Sequence, residues 1–188
     1  VGEGDEVITT PFSFIATANA VLFCHARPVF VDIDEKTFNI DPSLLKRAVS
    51  KQTKAVVVVH LYGQPCEMDE IVRTCNDHNL VLIEDACQAH GALYKGKKAG
   101  TLGHIGTFSL NNFKNLCGGE GGLFVTDNEE YLEKGTLIRC FGDEVDEVSK
   151  RRVYNASSLG YMYRNQELPA ALTRGQLLHL DEYNAARI

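Results

Sequence analysis

Short apolar runs rich in β-branched residues recur along the chain, separated by longer stretches whose apolar residues fall at helical spacing. Residues 7–10, 28–33, 54–60, 80–83, 105–110 and 123–126 read as strands. Helical spacing marks residues 13–24, 42–50, 67–78, 129–140 and 166–188. Ser13 is a candidate N-cap, and Asp41-Pro42 pairs a capping side chain with proline at the first helical position. In the last helix Leu168, Leu172, Leu177, Leu178 and Leu180 are expected to supply buried contacts, while the polar residues 142–157 read as loop. Strands alternating with helices predict the α/β class, with a largely parallel sheet covered by helices. Such sheets place ligands beyond the carboxyl ends of their strands. That rule singles out Asp85, just past the 80–83 run, and Ser109 and Lys114, which the 105–110 run delivers toward the same rim.

Composition narrows the function classes. With 188 residues, 44% hydrophobic and 23% charged, the chain can bury one substantial core. Its 25 acidic and 19 basic residues give a net charge of −6, and the basic residues form no stripe that would serve nucleic acid. Apolar stretches such as 55–59 are too short to span a bilayer, and no charged-then-apolar leader opens the chain, so a cytoplasmic protein is expected. The six cysteines include no CxxC pair and the six histidines no HExxH, so free thiols and no metal site are expected. Val1 is no initiator methionine, residues 1–6 read as a turn entering a strand, and residues 166–188 end without a capping glycine. The expectation is a piece of a longer protein.

Individual motifs are ambiguous. Gly118 to Gly122 lacks the Lys-Ser/Thr of a phosphate loop and precedes a strand, so a sharp turn that exploits glycine's freedom at positive φ is the better reading. Glu84-Asp85 fits a general acid, a metal ligand, or a carboxylate that satisfies backbone donors. Lys114, taken by itself, fits a solvated surface lysine.

Read together and in order, several segments resemble the DegT/DnrJ/EryC1/StrS family. They are Thr9-Thr10-Pro11-Phe12-Ser13-Phe14 through Ala20, His60-Leu61-Tyr62-Gly63-Gln64-Pro65, Glu84-Asp85-Ala86-Cys87-Gln88-Ala89-His90-Gly91-Ala92, and Phe108-Ser109 through Lys114 to Gly122. The resemblance also takes in Gly160-Tyr161-Met162-Tyr163-Arg164 and so runs over essentially the whole chain. It implies a fold-type-I transferase dependent on pyridoxal 5′-phosphate, with a three-layer αβα large domain on a mostly parallel mixed sheet. Residues 1–188 would form part of that cofactor-binding large domain. A preceding phosphate-holding segment and a following small domain would lie outside the chain, which is expected to turn over poorly by itself.

By the same resemblance Lys114 carries the cofactor covalently and relays protons, and Asp85 pairs with the protonated pyridine nitrogen. Phe14 stacks on the ring, Gln88 donates to the phenolic oxygen, and Ser109 contacts the phosphate. The reaction it implies moves an amino group from glutamate or glutamine to a keto sugar, often nucleotide-linked, or a keto cyclitol. A homodimer is expected, with no nucleic acid or membrane partner. Met162 departs from the pattern, because many members have there an asparagine that reaches the partner's cofactor phosphate; Asn165 is a neighbouring substitute. Two alternatives stand beside this reading. One is the family's dehydratase branch, which has histidine where this chain has Lys114, and the other is a non-catalytic regulatory or scaffold relative.

Overall fold

Alternating side chains give one sheet two apolar faces, and helices cover both. The computed structural model describes residues 1–146, 148–149 and 151–187. Glu147 and Lys150, in the expected loop, and Ile188, at the end of the last expected helix, lie outside the described residues.

The described residues form a six-stranded sheet in the order β2-β1-β3-β4-β7-β8. Its strands are β1 (Glu6–Thr9), β2 (Arg27–Phe30), β3 (Thr53–Val59), β4 (Val81–Asp85), β7 (Ile105–Ser109) and β8 (Gly122–Val125). Every pairing is parallel except β7 with β8, so the sheet is mixed and mostly parallel. Between β4 and β7 stand the short strands β5 (Leu93–Tyr94) and β6 (Lys97–Lys98).

The period-2 alternation of strands assigns each residue a face. Val7, Ala55, Val57 and Val81 turn toward α1 (Ala16–Phe23), where Val21 packs on them. Ile8, Val56, Val58 and Leu82 turn the other way, against Leu45 of α2 (Pro42–Ala48) and Met68, Ile71 and Cys75 of α3 (Met68–Asp77). Burying each large aliphatic side chain contributes about 1.5–3 kcal/mol relative to leaving it in water, so this second face is the main apolar layer. The six cysteines, all among the described residues, are free thiols. No helix among the described residues is long and apolar enough to cross a membrane.

Several local expectations are corrected. Ser13 does not cap α1: Ile15 occupies the cap position with helical dihedrals and no side-chain cap bond. A tight turn, closed by Thr17 N–H on Phe14 O at 3.2 Å, precedes the helix instead. β2 stops at Phe30 because Asp34 accepts from the N–H groups of Lys36 and Thr37 and folds the chain back, leaving Ile33 a single bridge to Ile40. The β5–β6 hairpin, absent from the sequence reading, turns at Lys95-Gly96, whose φ values of 48° and 82° suit a two-residue hairpin turn.

The stretch expected to be loop holds an antiparallel pair, β9 (Asp143–Val145) and β10 (Arg152–Ala156). Arg152 ties it by an ion pair to Asp143 and by stacking on Phe141 and Tyr154. After α4 (Glu129–Arg139), the last expected helix is two: α5 (Glu167–Leu177) and α6 (Leu180–Ala185), broken at His179 with φ −112° and ψ 7°. Its leucines are not core, since Leu168, Leu172, Leu177 and Leu178 are exposed and Leu180 is half-buried. The glycine run does make a sharp turn, with Gly119 and Gly121 at positive φ.

The Asp41 cap is present as read, its carboxylate accepting from Ser43 N–H at 2.7 Å and Leu44 N–H at 3.3 Å. Asp41→Ala should therefore destabilise the protein by about 1 kcal/mol, seen as a lower urea midpoint with unchanged slope.

Candidate active site

β4 ends on two adjacent carboxylates, and strand alternation sends them to opposite faces. Glu84 points into the main core and is fully buried. Its oxygens accept from His60 Nε2 at 2.8 Å, Gly100 N–H at 2.7 Å, Leu102 N–H at 2.6 Å, and Gly103 N–H. His60 Nδ1 accepts from Cys66 N–H at 3.1 Å, so the proton resides on Nε2. Burial pushes the Glu84 carboxyl up, but the bonds from His60, Gly103 and Gly100 outweigh it and hold the group below its ordinary value. Of the three roles open to the pair, Glu84 takes the one that satisfies backbone donors.

Asp85, on the α1 side, is only partly buried. Its Oδ2 accepts from Thr17 Oγ1 at 2.7 Å and its Oδ1 from Cys87 N–H at 3.2 Å. A carboxylate oxygen has two lone pairs, so each retains one for another donor.

Lys114 is carried by the β7–β8 connection. Ser109 closes β7, its hydroxyl oxygen accepts from Asn111 N–H at 3.2 Å, and Asn111 O accepts from Lys114 N–H at 2.9 Å. Leu110 and Leu116, both buried, anchor the loop on either side. The Lys114 ammonium makes no hydrogen bond or ion pair among the described residues, and it lines a cavity of about 770 Å³. A volume of this order suits a small-molecule site.

Gln88 lines the same cavity. Its Oε1 accepts from Tyr62 N–H at 2.8 Å, and because a backbone N–H only donates, the amide NH₂ is left for another partner. Tyr62 is held at a φ of 53°, in the left-handed region, with Gly63 following at 88°. Cys87, on the cavity wall, is pushed up to about 12 by burial and by Asp85, while Lys114 pulls it back. It thus sits within the field of both charged groups.

Of the five residues selected from sequence, the cavity brings together Lys114 and Gln88. Asp85 adjoins it through Cys87. Ser109 lies behind His90, whose Nε2 donates to Ser109 O at 2.8 Å. Phe14 stands on the exposed turn before α1, 72% accessible, and is not among the cavity-lining residues. Met162 is half exposed and carries no hydrogen-bond donor; Asn165 uses its side-chain oxygen on Gln166 N–H.

Residues that sequence reasoning missed are Thr17, Tyr62, His90 and Asn184. Burial and the Lys114 charge hold the His90 imidazole below its ordinary value, against the bond to Ser109 O. Asn184 of α6 donates to His90 O at 2.8 Å and accepts from Asn115 at 2.9 Å. Gly91 sits at a φ of 83°, which favours glycine, and a Cβ there would come within 2.8 Å of the Asn184 amide and displace it. Local pattern offers no signal for contacts between segments this far apart.

A family profile described as the DegT/DnrJ/EryC1/StrS aminotransferase family matches residues 1–188. The chain belongs to this family. It is 43% identical over 187 residues to a GDP-perosamine synthase of Caulobacter vibrioides, covering 100% of this chain and 49% of that protein. It is 46% identical to a pleiotropic regulatory protein of Geobacillus stearothermophilus, covering 100% of this chain and 49% of that one. The crystal structure of an aminotransferase from Psychrobacter cryohalolentis superposes with a TM-score of 0.90 at 40% identity, covering 97% of this chain and 48% of the other. The chain thus spans about half the length of the relatives it matches.

The strand end that carries Asp85 is braced by the buried Glu84. With a folded value below the ordinary 4.5, its stabilisation is present above that value and is lost as pH falls through the depressed one. Stability measured by urea unfolding should therefore fall steeply below about pH 4.5. Glu84→Gln, which faces several N–H donors with an amide, should be less stable at pH 7 and show a shallower acid slope.

Proposed function

We propose that this chain is the partial cofactor-binding large domain of a pyridoxal 5′-phosphate-dependent aminotransferase. The complete protein moves an amino group from glutamate or glutamine to a keto sugar, often nucleotide-linked, or to a keto cyclitol. The observation that carries the reading is the convergence of an unpaired Lys114 amine, the Gln88 amide NH₂ and the half-satisfied Asp85 carboxylate around one cavity rim. That donor set fits the cofactor: an amine for its aldehyde, an N–H for its phenolic oxygen and a carboxylate for its ring nitrogen.

When bound, the cofactor supplies an electron sink for carbanionic charge on the substrate carbon. Asp85 would pair with the protonated ring nitrogen and so sustain that sink. Lys114 would hold the cofactor through its amine, and its Nζ, which lines the cavity, would be the group that moves the proton at the reacting carbon. The Gln88 NH₂ would donate to the phenolic oxygen. The Ser109 hydroxyl, whose hydrogen is unused by Asn111, would contact the phosphate, and Phe14 would stack on the ring. The exposed apolar residues Tyr161, Met162, Leu168 and Leu172 suit the partner face of a homodimer in the cytoplasm.

Lys114 favours amino transfer over the dehydratase chemistry of the family, and the similarity to a regulatory protein motivates the non-catalytic alternative. Full-length protein with cofactor should show a visible band that bleaches on adding glutamate or glutamine. Lys114→Ala should lose that band and reduce turnover by about 10²–10⁴-fold. An unchanged spectrum in the variant would refute the role of Lys114. Cofactor binding with no amination by any donor would favour the regulatory reading.

A further inference from the structure

The Asp85 carboxylate is held by a group that neither the sequence motif nor the proposed chemistry accounts for. Thr17, in the first turn of α1, is 7% accessible, yet it carries a hydroxyl where a core position would favour valine or alanine. Threonine inside a helix commonly satisfies its hydroxyl on the carbonyl one turn back. Here Thr17 Oγ1 instead donates to Asp85 Oδ2 at 2.7 Å, across 68 residues of sequence. Its single hydrogen is thereby used, so the contact with Ser13 Oγ at 3.3 Å has Ser13 as donor and Thr17 as acceptor. The two hydroxyls form one polarised chain, Ser13 to Thr17 to Asp85, in which each bond strengthens the next.

The same turn carries Phe14, whose carbonyl accepts from Thr17 N–H at 3.2 Å. One backbone turn therefore sets both the hydroxyl that holds the carboxylate and the aromatic ring proposed to cover the cofactor. Ser13, which does not cap the helix, has its function in this chain. Cys87 N–H bonds the other carboxylate oxygen, Oδ1. With one donor on each oxygen, the carboxylate plane is fixed from two directions, and its remaining lone pairs keep a defined direction.

We infer that Thr17, supported by Ser13, is a positioning residue that orients the Asp85 carboxylate toward the cofactor's ring nitrogen. The inference rests on the reading of Asp85 given under the proposed function.

The test uses full-length protein carrying cofactor labelled with ¹⁵N at the ring nitrogen, whose NMR resonance reports protonation there. Thr17→Val should displace the resonance toward its unprotonated position and slow the half-reaction with glutamate or glutamine roughly tenfold. The donor KM should stay within about twofold, because the residue does not touch the donor. Thr17→Ser, which restores the hydroxyl, should return both the resonance and the rate. Ser13→Ala should move both in the same direction by a smaller amount, about threefold in rate. It lies on the turn outside the helix, so it carries the test if Thr17→Val does not fold. Wild-type resonance and rate in Thr17→Val, or in Ser13→Ala should the first variant not fold, would overturn the inference. Asp85→Ala separates the two levels. If it leaves the resonance unmoved, the reading of Asp85 fails and the inference with it. If it moves the resonance while Thr17→Val does not, only the role of Thr17 is lost.

Discussion

The period-2 geometry of β4 at its last two residues is the constraint on which the rest of the site depends. Two carboxylates adjacent in sequence cannot face the same way in a strand. Glu84 is therefore committed to the core, where three backbone N–H donors and a buried histidine enclose it. Asp85 is left on the opposite face with coordination to spare. The buried member joins the ends of β3 and β4 to the loop 100–103, so the strand end that carries Asp85 is braced from behind. A slip of one residue in register would exchange the two environments and leave an unpaired charge in the core.

Parallel pairing converts that local fact into a site. β1, β3, β4 and β7 run the same way, so the segments that leave their carboxyl ends share one edge of the sheet. The turn after β1 brings Thr17, the turn after β3 brings Tyr62, the segment after β4 brings Gln88 and His90, and the loop after β7 brings Lys114. Gln88 holds the strained Tyr62 turn with one end of its amide and leaves the other end for the cavity. Asn184 ties α6 to His90 and Asn115 on the same rim. The rim is thus a set of hydrogen bonds between segments far apart in the chain, each element fixing part of its neighbour.

The exposed apolar residues after Gly160 follow a different logic. Their helical spacing is real, but among the described residues α5 buries only Thr173. Amphipathic spacing states that a face is to be covered and does not say by what. The leucines read as available for burial are, apart from the half-buried Leu180, exposed among the described residues.

Much of this protein is determined by sequence alone. The α/β class, the positions of the main strands, the Asp41 cap and the glycine turn follow from local periodicity and dihedral preference, which neighbouring residues largely decide. The order of motifs around Asp85, Gln88, Ser109 and Lys114 likewise identifies the family, because that order is a property of the chain. What tertiary structure decided is which of Glu84 and Asp85 is open, what Ser13 and Thr17 do, why Gly91 is glycine, and where the last helix breaks. These depend on contacts such as Thr17 with Asp85 and Asn184 with His90, separated by 68 and 94 residues. Hydrogen bonds at such separation leave no periodic trace, because their geometry is set by the packing of whole strands and helices.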